Sequence, residues 1–260
     1  MPERITSREN GKIKYACKLA QSAAFRFEEN SFFAEGLKLC LELAKSCHLK
    51  VIYYTEKALQ KSPQLKDMDC EQYIIQDHVA EKLAGVQSNQ GVFAIFEQPK
   101  TSFLDLPKQG RYLALERVQD PGNVGALIRS AAAFGFDGVI LSPGCADVFS
   151  TKVLRASMGA AGRMPVVTCP NLADALLQLR AWGCTCLAAA LYNSKPLDQV
   201  DAAYPNGVCV VIGSEGQGLS QQVIDACDAA VRIPITQRVE SLNASVAGSV
   251  LLWHFRGSME

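Results

Sequence analysis

The chain has 260 residues, 48% of them apolar, and its 26 basic and 26 acidic side chains cancel to a net charge of zero. That length and apolar share suit two modest domains or one large one, with enough apolar side chain for a core in either case. Charge balance excludes a global field that would attract nucleic acid, so any RNA footprint has to be local. No apolar run approaches the roughly 20 residues of a membrane helix. Glu3 and Glu9 stand among the basic residues of the N-terminus, and neither a signal peptide nor a transit peptide is expected.

Ten cysteines are scattered through apolar segments, Cys40, Cys145, Cys169 and Cys209 among them; Cys184 and Cys186 form the sole close pair, and no C-x-x-C occurs. Such usage points to a reducing compartment, with packing as the default role and neither a disulfide framework nor a zinc site. His48, His78 and His254 have no spacing that suits a metal. A soluble cytoplasmic protein without a metal or a membrane segment is therefore expected.

Up to Arg26 the chain sets Arg4, Arg8, Lys12, Lys14, Lys18 and Arg26 against only Glu3 and Glu9, its densest basic region. As a helix over residues 12–24, this region puts Lys14 and Lys18 on one face and Ile13, Cys17 and Ala20 on another. A solvated face is the commoner fate of such a charge run, and contact with RNA phosphates is the functional alternative. Periodicity then predicts a helix over 37–46, strands over 51–54 and 72–75, a helix over 78–83 and a strand over 92–96. Strands and helices alternate here as in a small α/β unit. Pro99, Lys100, Pro107, Lys108 and Gly110 lie in a stretch of little periodicity, so a linker over 99–110 divides a domain of residues 1–98 from one of residues 111–260.

The second half alternates regularly. Strands are expected over 112–116, 138–141, 164–167, 186–191, 208–213 and 230–235, and helices over 124–134, 150–157, 172–181, 221–227 and 244–255. Near-continuous apolar strands separated by helices call for a parallel sheet covered on both faces, with its ligand at the strand C-termini. Three stretches carry chemistry. Asp120-Pro121-Gly122-Asn123-Val124-Gly125 runs from a strand through a glycine turn into a helix that carries Arg129, and Asn123 is either a plain helix N-cap or a hydrogen-bonding group. The strand Val208 to Ile212 ends in Gly213-Ser214-Glu215-Gly216-Gln217-Gly218, where glycines let backbone approach a ligand. Last, Arg232 to Ala247 reads as strand, loop and helix, with Ser241 and Asn243 at the helix mouth, where they can cap its free N–H groups.

In this order and spacing the three stretches resemble the motifs of the SpoU (TrmH-like) branch of the SPOUT RNA methyltransferases. Asn123, Gly125 and Arg129 match the first; Gly213, Glu215 and Gly216 the second; Glu240, Ser241, Leu242, Asn243, Ser245, Val246 and Ala247 the third. Gln237 departs from the glycine frequent in that loop. The resemblance implies an α/β fold: a C-terminal parallel-sheet domain with a deep trefoil knot, preceded by a small ribosomal-protein-like α/β domain that binds substrate. Arg26, Phe33, Glu35 and Gly36 match that small domain's opening pattern, and Gln90-Gly91-Val92 its closing strand. Also implied are S-adenosylmethionine as cofactor and a ribose 2′-hydroxyl of RNA as methyl acceptor, ribosomal RNA before transfer RNA.

Carried over by position, the catalytic group would be Arg129, Asn123, Glu215, Ser241 and Asn243. The cofactor would be held by Leu191, Gly213, Ser214, Gly216, Ile233, Pro234, Leu242, Asn243 and Ala247. RNA would meet Arg4, Arg8, Lys12, Lys14, Lys18, Arg26 and Arg155. The family's proposals cast the arginine at position 129 as general base, yet a guanidinium has five donors and no acceptor. Gripping a phosphate and lowering the hydroxyl's pKa is the alternative role. Family members act as homodimers through the terminal helix, and here Val246, Val250, Leu251, Trp253, His254 and Phe255 offer more apolar surface than one face needs. Two rivals fare worse. A dinucleotide-binding oxidoreductase lacks its G-x-G-x-x-G after the first strand, and a non-catalytic RNA-binding protein on the same scaffold has no need of Asn123, Arg129, Glu215 and Asn243 together.

Overall fold

The computed structural model describes residues 2–84 and 88–257. It divides into two compact units, one of residues 1–100 and 147–163 and one of residues 101–146 and 164–260.

The first unit follows the order β1 (Glu3–Ile5), α1 (Gly11–Gln21), α2 (Ala23–Glu28), β2 (Ser31–Glu35), α3 (Leu37–Leu43), β3 (Leu49–Tyr54), α4 (Glu56–Lys61), β4 (Glu71–Ile75), α5 (Asp77–Ala84) and β5 (Val92–Glu97). Its mixed sheet has strand order β1-β4-β3-β5-β2, with β1, β4 and β3 parallel and β5 antiparallel to both its neighbours. Strands β2 and β5 are buried along almost their whole length, as strands covered on both faces must be. The Asn10 side chain accepts from Lys12 N and starts α1. That helix then buries Ile13, Ala16 and Leu19, a stripe at helical spacing, and keeps its lysines off the core. The expected helix over 12–24 is thus two helices, broken where Ser22 caps α2 by accepting from Phe25 N.

In the second unit the order is β6 (Arg111–Glu116), α6 (Pro121–Ala133), β7 (Gly138–Leu141), then α7 (Thr151–Ala156), which belongs to the first unit, and on to β8 (Val166–Thr168), α8 (Leu172–Ala181), β9 (Thr185–Ala189), β10 (Lys195–Pro196), β11 (Val208–Gly213), α9 (Gln221–Asp225), β12 (Ala229–Arg232) and α10 (Ala244–His254). The seven strands lie in the order β10-β12-β9-β11-β6-β7-β8, every neighbouring pair parallel. The first strand of this sheet, β6, therefore has β7 on one side and β11, from much later in the chain, on the other. A reversal of strand order of this kind opens a crevice at the strand C-termini.

Two expectations need correction. Residues 101–110 are not a structureless linker: Ser102 and Asp105 form a capping box around a 3-10 turn, Phe103 stacks on Trp182 with ring centroids 5.3 Å apart, and Leu106 is buried. Aperiodic segments can bury side chains singly, and periodicity cannot see that. Residues 147–163 fall inside the stretch read as one domain of residues 111–260, yet they pack in the first unit. There Phe149 stacks on Phe32 at 4.9 Å, Arg163 pairs with Glu42 at 2.8 Å, and the Cys47 thiol donates to the Gly162 carbonyl at 3.3 Å. A Cβ on Gly162 would stand 2.5 Å from Leu43 Cδ2 and 2.8 Å from Cys47 Sγ, so any larger residue there has to displace those side chains.

Candidate active site

Strands β12, β9 and β11 are consecutive in the sheet, and register fixes where each one ends. Val231 of β12 lies opposite Ala189 of β9, and Ala188 of β9 lies opposite Val211 of β11. The chain thus leaves all three strands at one edge within about two residues of the same level, a span of roughly 7 Å along a strand. The residues that follow are Leu191 and Tyr192, Gly213 and Ser214, and Ile233 and Pro234. Strands β9 and β12 stop short of their expected ends at 191 and 235. Leu191, Ile233 and Pro234 accordingly sit on loops rather than strands, and the Leu191 side chain is exposed.

The loop after β11 folds back on itself. Gly218 N donates to the Ser214 carbonyl at 2.9 Å and Gln217 N to Ser214 Oγ at 3.3 Å. A Cβ on Gly213 would lie 2.3 Å from the backbone carbon of Gly218, too close for any side chain. Gly216 is exposed at the tip, with open space where a side chain would start.

Two polar contacts join this loop to the end of β6. Asn123 Nδ2 donates to Glu215 Oε1, and buried Glu116 accepts from Ser220 N at 2.8 Å. Asn123 is not the cap of α6, because Asp120 fills that place by accepting from Asn123 N at 2.8 Å. The asparagine side chain is thereby released for Glu215. Glu116 was not singled out from the sequence; a carboxylate closing an apolar strand immediately before a turn was the available signal.

Helix α10 packs on both α6 and β11. A Cβ on Gly248 would meet Leu127 Cδ2 at 2.3 Å, and Ser130 and Ser249 share a hydrogen bond of 2.8 Å. The helices of the first and third motifs thus touch directly. Asn243 caps α10, its Oδ1 accepting from Ser245 N at 2.9 Å and Val246 N at 3.3 Å. Leu242 and Ala247 are half-buried, while Ser241 is exposed. Arg129 is exposed on α6 and makes no hydrogen bond or ion pair among the described residues. Its charge is left available to a ligand, and no contact with Asn123, Glu215, Ser241 or Asn243 holds it.

Among the basic residues read as RNA contacts, Arg26 is a correction. It is 4% exposed, pairs with Asp147, and donates from Nη1 to the Leu19 carbonyl at 2.5 Å and the Ala20 carbonyl at 3.3 Å. An arginine buried and tied down in this way is not presented to RNA, and it survives burial only because it is paired. Arg4, Arg8, Lys12 and Lys14 are outside the core, each in an ion pair, with Glu56, Glu81, Glu71 and Glu9 respectively. Lys18 lies over the Phe25 ring. Exposed pairs of this type are weak and can be exchanged for a phosphate. Arg155 faces Glu35 at 3.6 Å, and burial raises the Glu35 carboxyl above its ordinary range against the pull of that arginine.

Fold and site together define a class. Residues 110–253 match the SpoU rRNA Methylase family and residues 10–94 the MRM3-like substrate binding domain. The chain belongs to the SpoU rRNA methylase family. Among its relatives is the 23S rRNA (guanosine(2553)-2′-O)-methyltransferase RlmP of Bacillus subtilis, 30% identical over 256 residues that cover 98% of this chain and 100% of that protein. The AdoMet-bound rRNA methyltransferase of Sinorhizobium meliloti has a similar structure, with a TM-score of 0.87, 30% identity and 97% of each chain covered. AviRb of Streptomyces viridochromogenes shares the fold at 23% identity, with a TM-score of 0.85 over 95% of this chain and 97% of that one.

Proposed function

We propose that the chain methylates a ribose 2′-hydroxyl of ribosomal RNA with S-adenosylmethionine as the donor. One observation carries this reading. The ends of β12, β9 and β11, where Ile233, Leu191 and Gly213 lie, leave one edge of the sheet at one level. Beside them Asn123 and Glu215 bind the first motif to the second.

The residues at that edge fit the donor. Gly213 lets the loop fold against Gly218 and Leu219, where a side chain would meet backbone, and Ile233, Leu242 and Leu191 are apolar groups for the flat face of an adenine. Ser214, Gly216, Pro234, Asn243 and Ala247 complete the set. When bound, the donor supplies an activated methyl, so the chain's own task is alignment of the acceptor and removal of its proton. Arg129, with no hydrogen bond or ion pair among the described residues, grips the RNA phosphate and stabilises charge developing on the ribose oxygen, while a water or neighbouring group takes the hydroxyl proton. Asn123 and Glu215 fix the loop wall. Ser241 and the amide of Asn243 donate to the ribose.

Ribosomal RNA is preferred because the Bacillus subtilis relative aligns over its whole length, small N-terminal domain included. Arg4, Arg8, Lys12, Lys14 and Lys18 are assigned to RNA in a substrate-binding region of residues 1–98, and Arg155 is assigned to RNA from within a catalytic region of residues 111–260. Three further parts of the proposal follow family membership: a deep trefoil knot in the C-terminal domain, a cytoplasmic location, and a homodimer. Exposed Val246, Val250 and Trp253 on α10 supply the dimer surface. Labelled donor and ribosomal RNA, digested to nucleosides after reaction, test the function: 2′-O-methylnucleosides support it, and methyl found on a base overturns it.

A further inference from the structure

Arg117 is the one non-glycine residue at the C-terminal edge of β6 held in the left-handed region, with φ at 51°. A glycine would take this conformation without strain, and asparagine nearly so. The chain nevertheless places a long cation there, one residue past buried Glu116 and six before Asn123. Its backbone is fixed from both sides: Arg117 N donates to Ser142 Oγ at 2.9 Å, and Ala146 N donates to the next residue's carbonyl, that of Val118, at 2.9 Å.

The side chain is poorly satisfied inside the protein. Its Nε is buried and has no hydrogen-bond partner among the described residues. Among the described residues a single carboxylate faces its fork, Glu116 Oε1 at 3.4 Å from Nη2, and that carboxylate already accepts from Ser220 N through its other oxygen. The side chain remains 43% exposed. A fork-shaped cation so weakly held internally matches an oxyanion from outside.

We infer that Arg117 binds a phosphate of the RNA substrate beside the target nucleotide and positions the strand against Arg129. The inference rests on the proposed function and adds a residue to it. Sheet order favours the RNA as the source of the anion. The loops assigned to the cofactor follow β12, β9 and β11, whereas Arg117 follows β6 and its backbone is bonded to the loop after β7, on the far side of β11. Glu116, one residue before Arg117, is the register partner of Gly213, so the cofactor's carboxylate is the competing anion, and the binding measurements below separate the two.

The test uses the full-length protein with Arg117→Gly, Arg117→Asn and Arg117→Lys. Protein-free bacterial ribosomal RNA is the probe in filter binding across a salt series, S-adenosylmethionine in calorimetry. Arg117→Gly and Arg117→Asn are expected to melt no lower than wild type, because strain is released, and to bind the cofactor within twofold. Both should weaken RNA binding about tenfold and reduce the slope of log K against log salt by about one. Arg117→Lys, which keeps the charge, should retain the slope. The inference is overturned by an unchanged slope in both neutral variants, by lost cofactor affinity with RNA binding intact, or by a lower melting temperature with RNA binding intact. Wild-type protein without methyl transfer would remove the proposed function instead, and the slopes still judge Arg117 as an RNA contact.

Discussion

Buried Arg26 and its partner make an asymmetric pair, and the asymmetry is measurable. The arginine side chain is 5% exposed and that of Asp147 30%. Asp147→Ala leaves a guanidinium in the core with only the Leu19 and Ala20 carbonyls to accept from it. Stranding a buried charge costs about 3–5 kcal/mol. Arg26→Met keeps an apolar stem in the same space and leaves a carboxylate that is partly wetted and still accepts from Phe149 N at 2.9 Å; its cost should be about 1 kcal/mol. In the double variant no charge is stranded, so it should be more stable than Asp147→Ala alone, a coupling that a double-mutant cycle reads directly. Both tryptophans, Trp182 and Trp253, lie in the other unit. Urea unfolding should therefore be followed by far-UV circular dichroism as well as by fluorescence, with the loss in the dichroism transition. If Arg26→Met costs as much as Asp147→Ala, the reasoning about which partner is desolvated is wrong.

Gly213→Ala drives a methyl into the Gly218 backbone; calorimetry should show S-adenosylmethionine binding weakened at least tenfold, with a stability loss of about 1–3 kcal/mol. Arg129→Ala should abolish methyl transfer to ribosomal RNA while cofactor affinity stays within a few-fold, and full activity in the variant would refute the role given to that residue. Stability should also fall in alkali. Burial pushes the Cys70 and Cys169 thiols up to about 11 and that of Cys227 up to about 12. The unfolded chain releases these protons near pH 8.5, so the stabilisation is complete below that pH and is lost as pH rises through 11 to 12. Urea midpoints from pH 7 to 11 measure this, and a flat profile counts against it.

The central strands of the second unit were legible because parallel strands covered on both faces are unbroken apolar runs: Tyr112 to Leu115 and Val208 to Ile212 announce β6 and β11 unaided. Short or partly polar elements were not. Strand β1 is three residues within a basic stretch, and α4 is six residues with one buried side chain. The charge of Arg26 was visible, but its fate depends on Asp147, 121 positions away. Distance of the same kind hid the packing of residues 147–163. Asn123 illustrates the opposite case: its competition with Asp120 for the cap was local, yet only the fold shows that Asp120 occupies it and that Asn123 turns to Glu215.

A crystal structure with S-adenosylhomocysteine bound is the most direct test of the whole account. The adenosyl group is expected within about 4 Å, ordinary contact distance, of Gly213, Ile233 and Leu242 at the shared edge of β12, β9 and β11. A cofactor seated instead at the end of β7 or β8, with those three residues untouched, would contradict it.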